Sequence, residues 1–285
     1  MVTAEQDQSS LCSFLRQACA DQLQQALDLL SDPGRDRDEA VHEARKCVRR
    51  VRAWLRLGDP WRRRTLAEVD ARLRTLRRAL GPLRDGASRI EALDRLRKSR
   101  SIGSMRSALT QARSRLTEVL ERRWTRRPPQ GRAWQRMLQS LRELRDDCAS
   151  WPLDGLDEAE IGRALKRAFR RACRGRRQNA GRHAAASRHH WRGRVRILLL
   201  QCQLLEQRQL APPSSALKRL AQSLGDENDL ALVSRVLGQL GLRDRTRLAL
   251  RAQVQSRRRA LAKRNDARAV KLLRPGLAPR ARVPD

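Results

Sequence analysis

An all-α fold is what this sequence predicts, and three observations carry the prediction. Every proline lies at a break between helix-length segments, and no stretch alternates apolar and polar residues long enough to make a strand. Apolar residues instead recur at three- and four-residue spacings, as in Leu11, Leu15, Ala18 and in Val41, Ala44, Val48, Val51.

Taken in order, the first helix spans Ser10 to Leu30, with Leu11, Phe14, Leu15, Ala18, Leu23, Ala26 and Leu30 on one face, and SDPGRDR ends it. Residues 38–57 form the second, stopped by Gly58 and Asp59. Pro60 sits where a helix start tolerates it, so 61–80 is the third, ending at Leu80-Gly81-Pro82. Asp85 is a cap for 86–98. Ser101–Ser104 is a weak point before a long helix through Arg126, and Pro128-Pro129 is the strongest mid-chain break. Beyond it, helices are expected at 131–149, 157–178 and 188–208. Residues 214–224 follow up to Gly225, then 230–240 capped by Asp229, then 243–273. Residues 1–9 and 275–285 are expected to be disordered, with bundles over 10–127 and 128–274.

The composition points to a polyanionic partner. The chain carries 64 Lys and Arg against 31 Asp and Glu, a formal charge of +33, and only six of the basic residues are Lys. Arg grips phosphate oxygens with a planar two-pronged fork and stays charged at any working pH. A GC-rich genome accounts for Arg in place of Lys, but not for the excess itself. Six cysteines show no C-x-x-C spacing, and most occupy apolar positions of helical patterns, so they read as buried reduced thiols of a cytoplasmic protein. The longest apolar run, Ile197–Leu200, is far too short to span a bilayer, and the N-terminus lacks the charged and apolar regions of an export signal.

Residues 41–57 organise the rest. At about 100° per residue, His42, Arg45, Arg49, Arg52 and Arg56 fall in a stripe roughly 80° wide, opposite Val41, Ala44, Val48, Val51 and Leu55. Like charges at i,i+4 repel, so such a row asks for an anion or for tolerance at the surface. The pattern recurs. Setting His189 on His42 places Arg192 on Arg45, Val195 on Val48 and Arg196 on Arg49, and Leu80-Gly81-Pro82-Leu83-Arg84-Asp85 pairs with Leu224-Gly225-Asp226-Glu227-Asn228-Asp229. The expected architecture is therefore two pseudo-symmetric helical bundles from a tandem duplication, with a basic groove or pore between them.

These residues resemble the CHAD domain, the conserved histidine α-helical domain. The resemblance rests on His42, Arg45, Arg49, Arg50 and Arg52; on His189, Trp191, Arg192, Gly193, Arg194, Val195 and Arg196; on the two turns ending at Asp85 and Asp229; and on LKRAFRRACR in helix 157–178. It implies paired helical bundles about a basic groove that binds inorganic polyphosphate without catalysis. The second stripe is shorter, since Ile197 and Leu199 stand where the first half has Arg50 and Arg52.

The candidate polyphosphate ligands are His42, Arg45, Arg49, Arg50, Arg52, Arg56, His189, Arg192 and Arg196. A further stripe, Arg163, Arg167, Arg170 and Arg174, is a third wall or ordinary surface. Asp85 and Asp229 read as helix caps rather than chemistry. No H-E-x-x-H, P-loop, G-x-S-x-G or paired-carboxylate arrangement is present, so no enzyme activity, cofactor or metal is expected. A nucleic-acid-binding helical protein and an interaction scaffold at polyphosphate granules are the alternatives, and zero Tyr with two Phe disfavours the first.

Overall fold

The computed structural model describes residues 2–98, 106–126, 128, 131–179, 184–238 and 244–274. Among these the chain forms eleven α-helices: α1 (Val2–Ser31), α2 (Arg37–Trp54), α3 (Pro60–Thr65), α4 (Ala67–Ala79), α5 (Gly81–Arg97), α6 (Arg106–Arg126), α7 (Arg132–Asp146), α8 (Glu158–Asn179), α9 (Ala185–Glu206), α10 (Ser215–Leu237) and α11 (Asp244–Leu272). A single 3-10 turn, Asp147–Ser150, follows α7. The all-α fold is as the periodicity predicts. The segment Ser101–Ser104 and the tail 275–285 lie outside the described residues.

Helix boundaries differ from expectation at five places, the first being α2, which ends at Trp54 instead of Leu57. α1 begins at Val2, so residues 2–9 continue the helix instead of preceding it. The helix expected over 61–80 breaks at Leu66, whose ψ of 10° turns the chain while its side chain is buried. α5 starts at Gly81 itself, because Pro82 falls in the first turn where its missing N–H costs nothing. Asp85 therefore lies inside the helix and is no cap. Likewise α10 runs unbroken through Gly225, so Gly225 is no stop and Asp229 caps nothing. A glycine inside a helix costs only about 1 kcal/mol, which a long buried helix absorbs.

Packing follows the apolar faces. α1 lies against α2, α8 against α9, α5 against α6, and α10 against α11. The two His/Arg helices meet directly, α2 on α9, and the two helices that open or continue at Leu-Gly meet as well, α5 on α10. Val41, Ala44, Val48, Val51 and Leu55 are all buried, as are Ile161, Ala164, Leu165, Ala168 and Ala172 of α8. One apolar core contains side chains from every helix except α3, and a second joins the far ends of α5, α6, α10 and α11 through Leu93, Leu109, Val233, Leu237, Leu250 and Val254. The break at Pro128-Pro129 does not divide the core, since α7, beyond it, packs back on α1 and α4.

Two details anchor the second half. Arg188, buried at 4% exposure, makes a two-pronged ion pair with Glu227 at 2.6 and 2.7 Å and reaches Asp266 at 2.7 Å, tying α9 to α10 and α11. Asn265 Nδ2 donates to Glu227 as well, so the buried carboxylate is fully engaged. Trp191, fully buried, lies under the Arg188 guanidinium and against Gly175 of α8. A Cβ on Gly175 would meet Trp191 Cδ1 at 2.7 Å, so only glycine lets α8 and α9 close there. Gly175→Ala is expected to destabilise the fold by about 1–3 kcal/mol through overpacking, read as a lowered midpoint in urea with an unchanged slope.

Candidate functional site: a nest of arginines between α2 and α9

The polar face of α2 is half-buried along its length because α4, α5 and α9 crowd it. At its N-terminal end His42 lies 3.7 Å from Glu43 and near Arg84. Burial, then the Arg84 charge, hold the imidazole below its ordinary 6.5, so it is neutral at pH 7. One turn on, Arg45 donates from Nη1 to the Arg77 carbonyl at 2.6 Å, while its buried Nε has no partner.

Arg49 is the centre. Burial, then the charges of Arg196, Arg77, Arg192 and Arg45, pull its guanidinium from an ordinary 12.5 down to about 8. Arg196 is brought to about 10 by burial and then by Arg192, with Asp229 opposing and Arg77 adding to the fall. The buried Nε of Arg192 is also without a partner. α2 thus delivers Arg45 and Arg49, and α9 delivers Arg192 and Arg196, to one nest. The glycines of the two Leu-Gly pairs share a place in it. A Cβ on Gly81 would stand 3.6 Å from Arg45 Nη1, and one on Gly225 would stand 3.9 Å from Arg192 Nη2, so each guanidinium lies against helix backbone.

Other candidates sit elsewhere. Arg52 is held by Asp70 in a two-pronged pair at 2.7 and 3.1 Å, so its charge is matched. Arg50 turns away from the row and donates to Gln22 of α1 at 2.7 Å. His189 is exposed, its Nδ1 2.9 Å from Asn228 Oδ1, and so does not share the half-buried setting of His42. Of the α8 stripe, Arg163, Arg170 and Arg174 are exposed, and only Arg167 turns inward, donating to the Gly58 carbonyl at 3.1 Å. Together with Arg56 it lines a smaller cavity at the C-terminal end of α2.

Sequence reasoning passed over Arg77 altogether and gave Arg84 little weight. Arg77 stands on α4 among Arg72, Arg74 and Arg78 with no stripe to single it out, and only the packing of α4 on α2 selects it. Arg63, Arg171 and Arg194 were missed for the same reason. All six cysteines are buried and unpaired. Among the described residues no group of three His, Cys, Asp or Glu side chains is placed to hold a metal ion, and no helix is long and apolar enough to cross a membrane.

An all-α domain that turns two arginine-bearing helices toward each other is a domain built round a buried cationic face. The chain belongs to the CHAD domain family, whose model matches residues 15–238. It is similar in structure to the CHAD domain from the plant Ricinus communis, with a TM-score of 0.58 over 94% of each chain and 17% sequence identity, a likeness of fold. No curated protein matches it by sequence.

The nest makes a prediction about stability. A base whose folded pKa is depressed weakens the fold at pH values below it, and the penalty fades as pH rises through that value. With no polyanion present, Arg49→Gln should therefore melt higher than wild type at pH 7, and the advantage should shrink as pH passes about 8. Taking the difference between the two proteins cancels the buried thiols, which titrate alike in both. A variant that melts lower at pH 7 would mean that Arg49 is held by contacts rather than crowded by charge.

Proposed function

We propose that this protein binds inorganic polyphosphate, without catalysis of its own, through the arginine nest between α2 and α9. The observation that carries the reading is Arg49, half-buried among four other guanidiniums. Buried charge is normally matched, and orphaned N–H donors on Arg45 and Arg192 add fixed places for oxygen atoms. A phosphate chain supplies a negative charge at every unit and accepts hydrogen bonds in the forked geometry that Arg offers. Release of its counterions adds to the affinity.

The aromatic residues favour a polymer without bases. Trp54, Trp124, Trp134, Trp151 and Trp191 are buried in the cores, and Trp61 alone is exposed, at 58%. Binders of single-stranded nucleic acid offer stacking platforms along the basic track, and a single exposed indole is no such track. In the cell the same contact would keep the protein with cytoplasmic polyphosphate granules.

A protein at +33 attracts any polyanion, so the test must separate the nest from bulk charge. Arg45→Ala with Arg49→Ala is compared with Arg132→Ala and Arg136→Ala, two exposed arginines of α7. Both double variants lose the same charge. The nest variant should lose matched, charge-assisted contacts worth about 1.5–3 kcal/mol each, whereas the α7 variant loses attraction that salt largely screens. Titration calorimetry at physiological salt against long-chain polyphosphate, RNA and DNA reads both effects. Equal losses in the two variants, or tighter binding of RNA, would overturn the reading.

His42 adds a pH dependence. It is neutral when the site is free, because burial and Arg84 depress it, and a bound phosphate would raise it and so draw a proton in. Affinity for polyphosphate should accordingly strengthen as pH falls through the ordinary histidine range. The extra strengthening relative to His42→Gln measures this proton, and parallel pH profiles would exclude it.

A further inference from the structure

A second cationic cavity lies where α2 ends. Its volume is about 200 Å³, and Arg56, Arg63, Arg167, Arg171 and Arg194 line it, with Ala164, Ala168, Ile197 and Gln201. No carboxylate is among the lining residues. The acidic groups nearby are committed elsewhere. Asp70 is paired with Arg52, Glu160 accepts from the Asp59 backbone and lies 3.3 Å from Arg62, and Asp59 caps α3. Burial, then Arg63 and Arg171, depress Arg167 against the opposing pull of Glu160 and Asp59. Burial, then Arg52, depress Arg56, with Asp70 opposing and Arg171 and Arg63 adding to the fall.

The cavity is related to the nest but separate from it. Arg49 lies within α2 and Arg56 two residues beyond its end, and the neutralised Arg52–Asp70 pair stands between them in the chain. Core residues close the inner wall: Ala164 and Ala168 belong to the main apolar cluster, and Gln201 is buried with its Nε2 bound to the Ala53 carbonyl at 3.0 Å. A chain following α2 out of the nest would meet a wall here. The volume falls below that of organic-ligand sites, so the occupant is a small anion.

We propose that this cavity holds the terminal phosphoryl group of a linear phosphate chain, so that the protein grips the polymer by its end as well as along its length. The inference rests on the polyphosphate reading of the nest. Its chemistry is that of charge. A phosphoryl group inside a chain bears one negative charge. A terminal one has a further ionisable oxygen with a second pKa near about 6, and so is largely doubly charged at pH 7. Five guanidiniums without a lining carboxylate favour the doubly charged group, and the closed inner wall suits a group with one covalent neighbour rather than two.

The test uses a short linear oligophosphate in two forms, one with free ends and one with both ends capped as phosphoramidates of an uncharged amine, which leaves each end a single negative charge. Each is titrated into wild type, into Arg171→Gln with Arg194→Gln, and into Arg45→Ala. Blocking the ends should weaken binding to wild type by about tenfold or more, the loss of at least one charge-assisted contact. That penalty should vanish in the cavity variant and persist in Arg45→Ala, the coupling that a double-mutant cycle isolates. Arg171 is exposed, so Arg171→Gln alone, in a protein with an unchanged melting curve, serves as the second variant. Equal binding of free and blocked chains by wild type, or a full penalty retained in the cavity variant, would overturn the end-site. Failure of wild type to bind either chain would instead remove the polyphosphate reading, and the end-site with it.

Discussion

The contact between α2 and α9 is the constraint on which everything else turns. Apolar side chains draw the helices together, Val48 and Val51 from one and Val195 and Leu198 from the other, all fully buried. Two side chains then stitch across the seam: Trp54 Nε1 donates to the Leu200 carbonyl at 3.0 Å, and Gln201 Nε2 donates to the Ala53 carbonyl at 3.0 Å. The same approach forces Arg49 into the company of Arg192 and Arg196. Attraction on one side of each helix thus sets up repulsion on the other. The anchoring of α9 by Arg188, Glu227 and Asp266 keeps its basic face from rotating away from α2.

Where the acids are spent matters more than the net charge. Several arginines away from the nest find carboxylates: Arg16 with Asp154, Arg37 with Glu121, Arg72 with Glu143 and Asp147, and Arg113 with Asp94. Exposed pairs of this kind are worth little each, about 0–1 kcal/mol. Their consequence is in distribution: they leave the outer surface patched in both signs. Within the nest the nearby acids act at longer range, Asp85 on Arg45 and Asp226 with Asp229 on Arg192, easing the repulsion without forming a pair. The counter-charge is held back from the place where Arg45, Arg49, Arg192 and Arg196 converge.

Much of this was legible in the chain itself, for reasons that particular residues make plain. A helical stripe is a local property, so arithmetic alone could place His42, Arg45, Arg49 and Arg52 on α2, whereas Arg56 falls in the turn just beyond the end of that helix. Setting His189 on His42 brought out Arg192 and Arg196, which then match Arg45 and Arg49 in spacing. What periodicity could not reach was the contribution of other helices. Arg77 enters from α4, and Arg63, Arg171 and Arg194 enter the second cavity from α3, α8 and α9, each from a helix with several arginines and no local mark of which one turns inward. Nor could it tell that Asp70 neutralises Arg52 while Arg49 stays unmatched. The misread glycines have a common cause. Gly81 and Gly225 look like helix stops because punctuation is judged from sequence neighbours, whereas both lie in helices and stand beside the guanidiniums of Arg45 and Arg192.

α9 does not match α2 residue for residue, and the differences fall where the charge is. Ile197 and Leu199 occupy the repeat positions of Arg50 and Arg52. In the first half those two arginines are the ones already satisfied, by Gln22 and Asp70. Replacing them with apolar residues in α9 therefore removes no unmatched cation from the nest. Ile197 instead helps to wall the cavity at the end of α2, and Leu199 joins the core. The positions that keep arginine in both halves, Arg45 with Arg192 and Arg49 with Arg196, are the ones that converge. A fold that brings unmatched cations together stores repulsion, and whatever anion relieves it gains that energy in binding as well as the contacts it makes. The nest is on this account a half-buried store of like charge at the seam between α2 and α9.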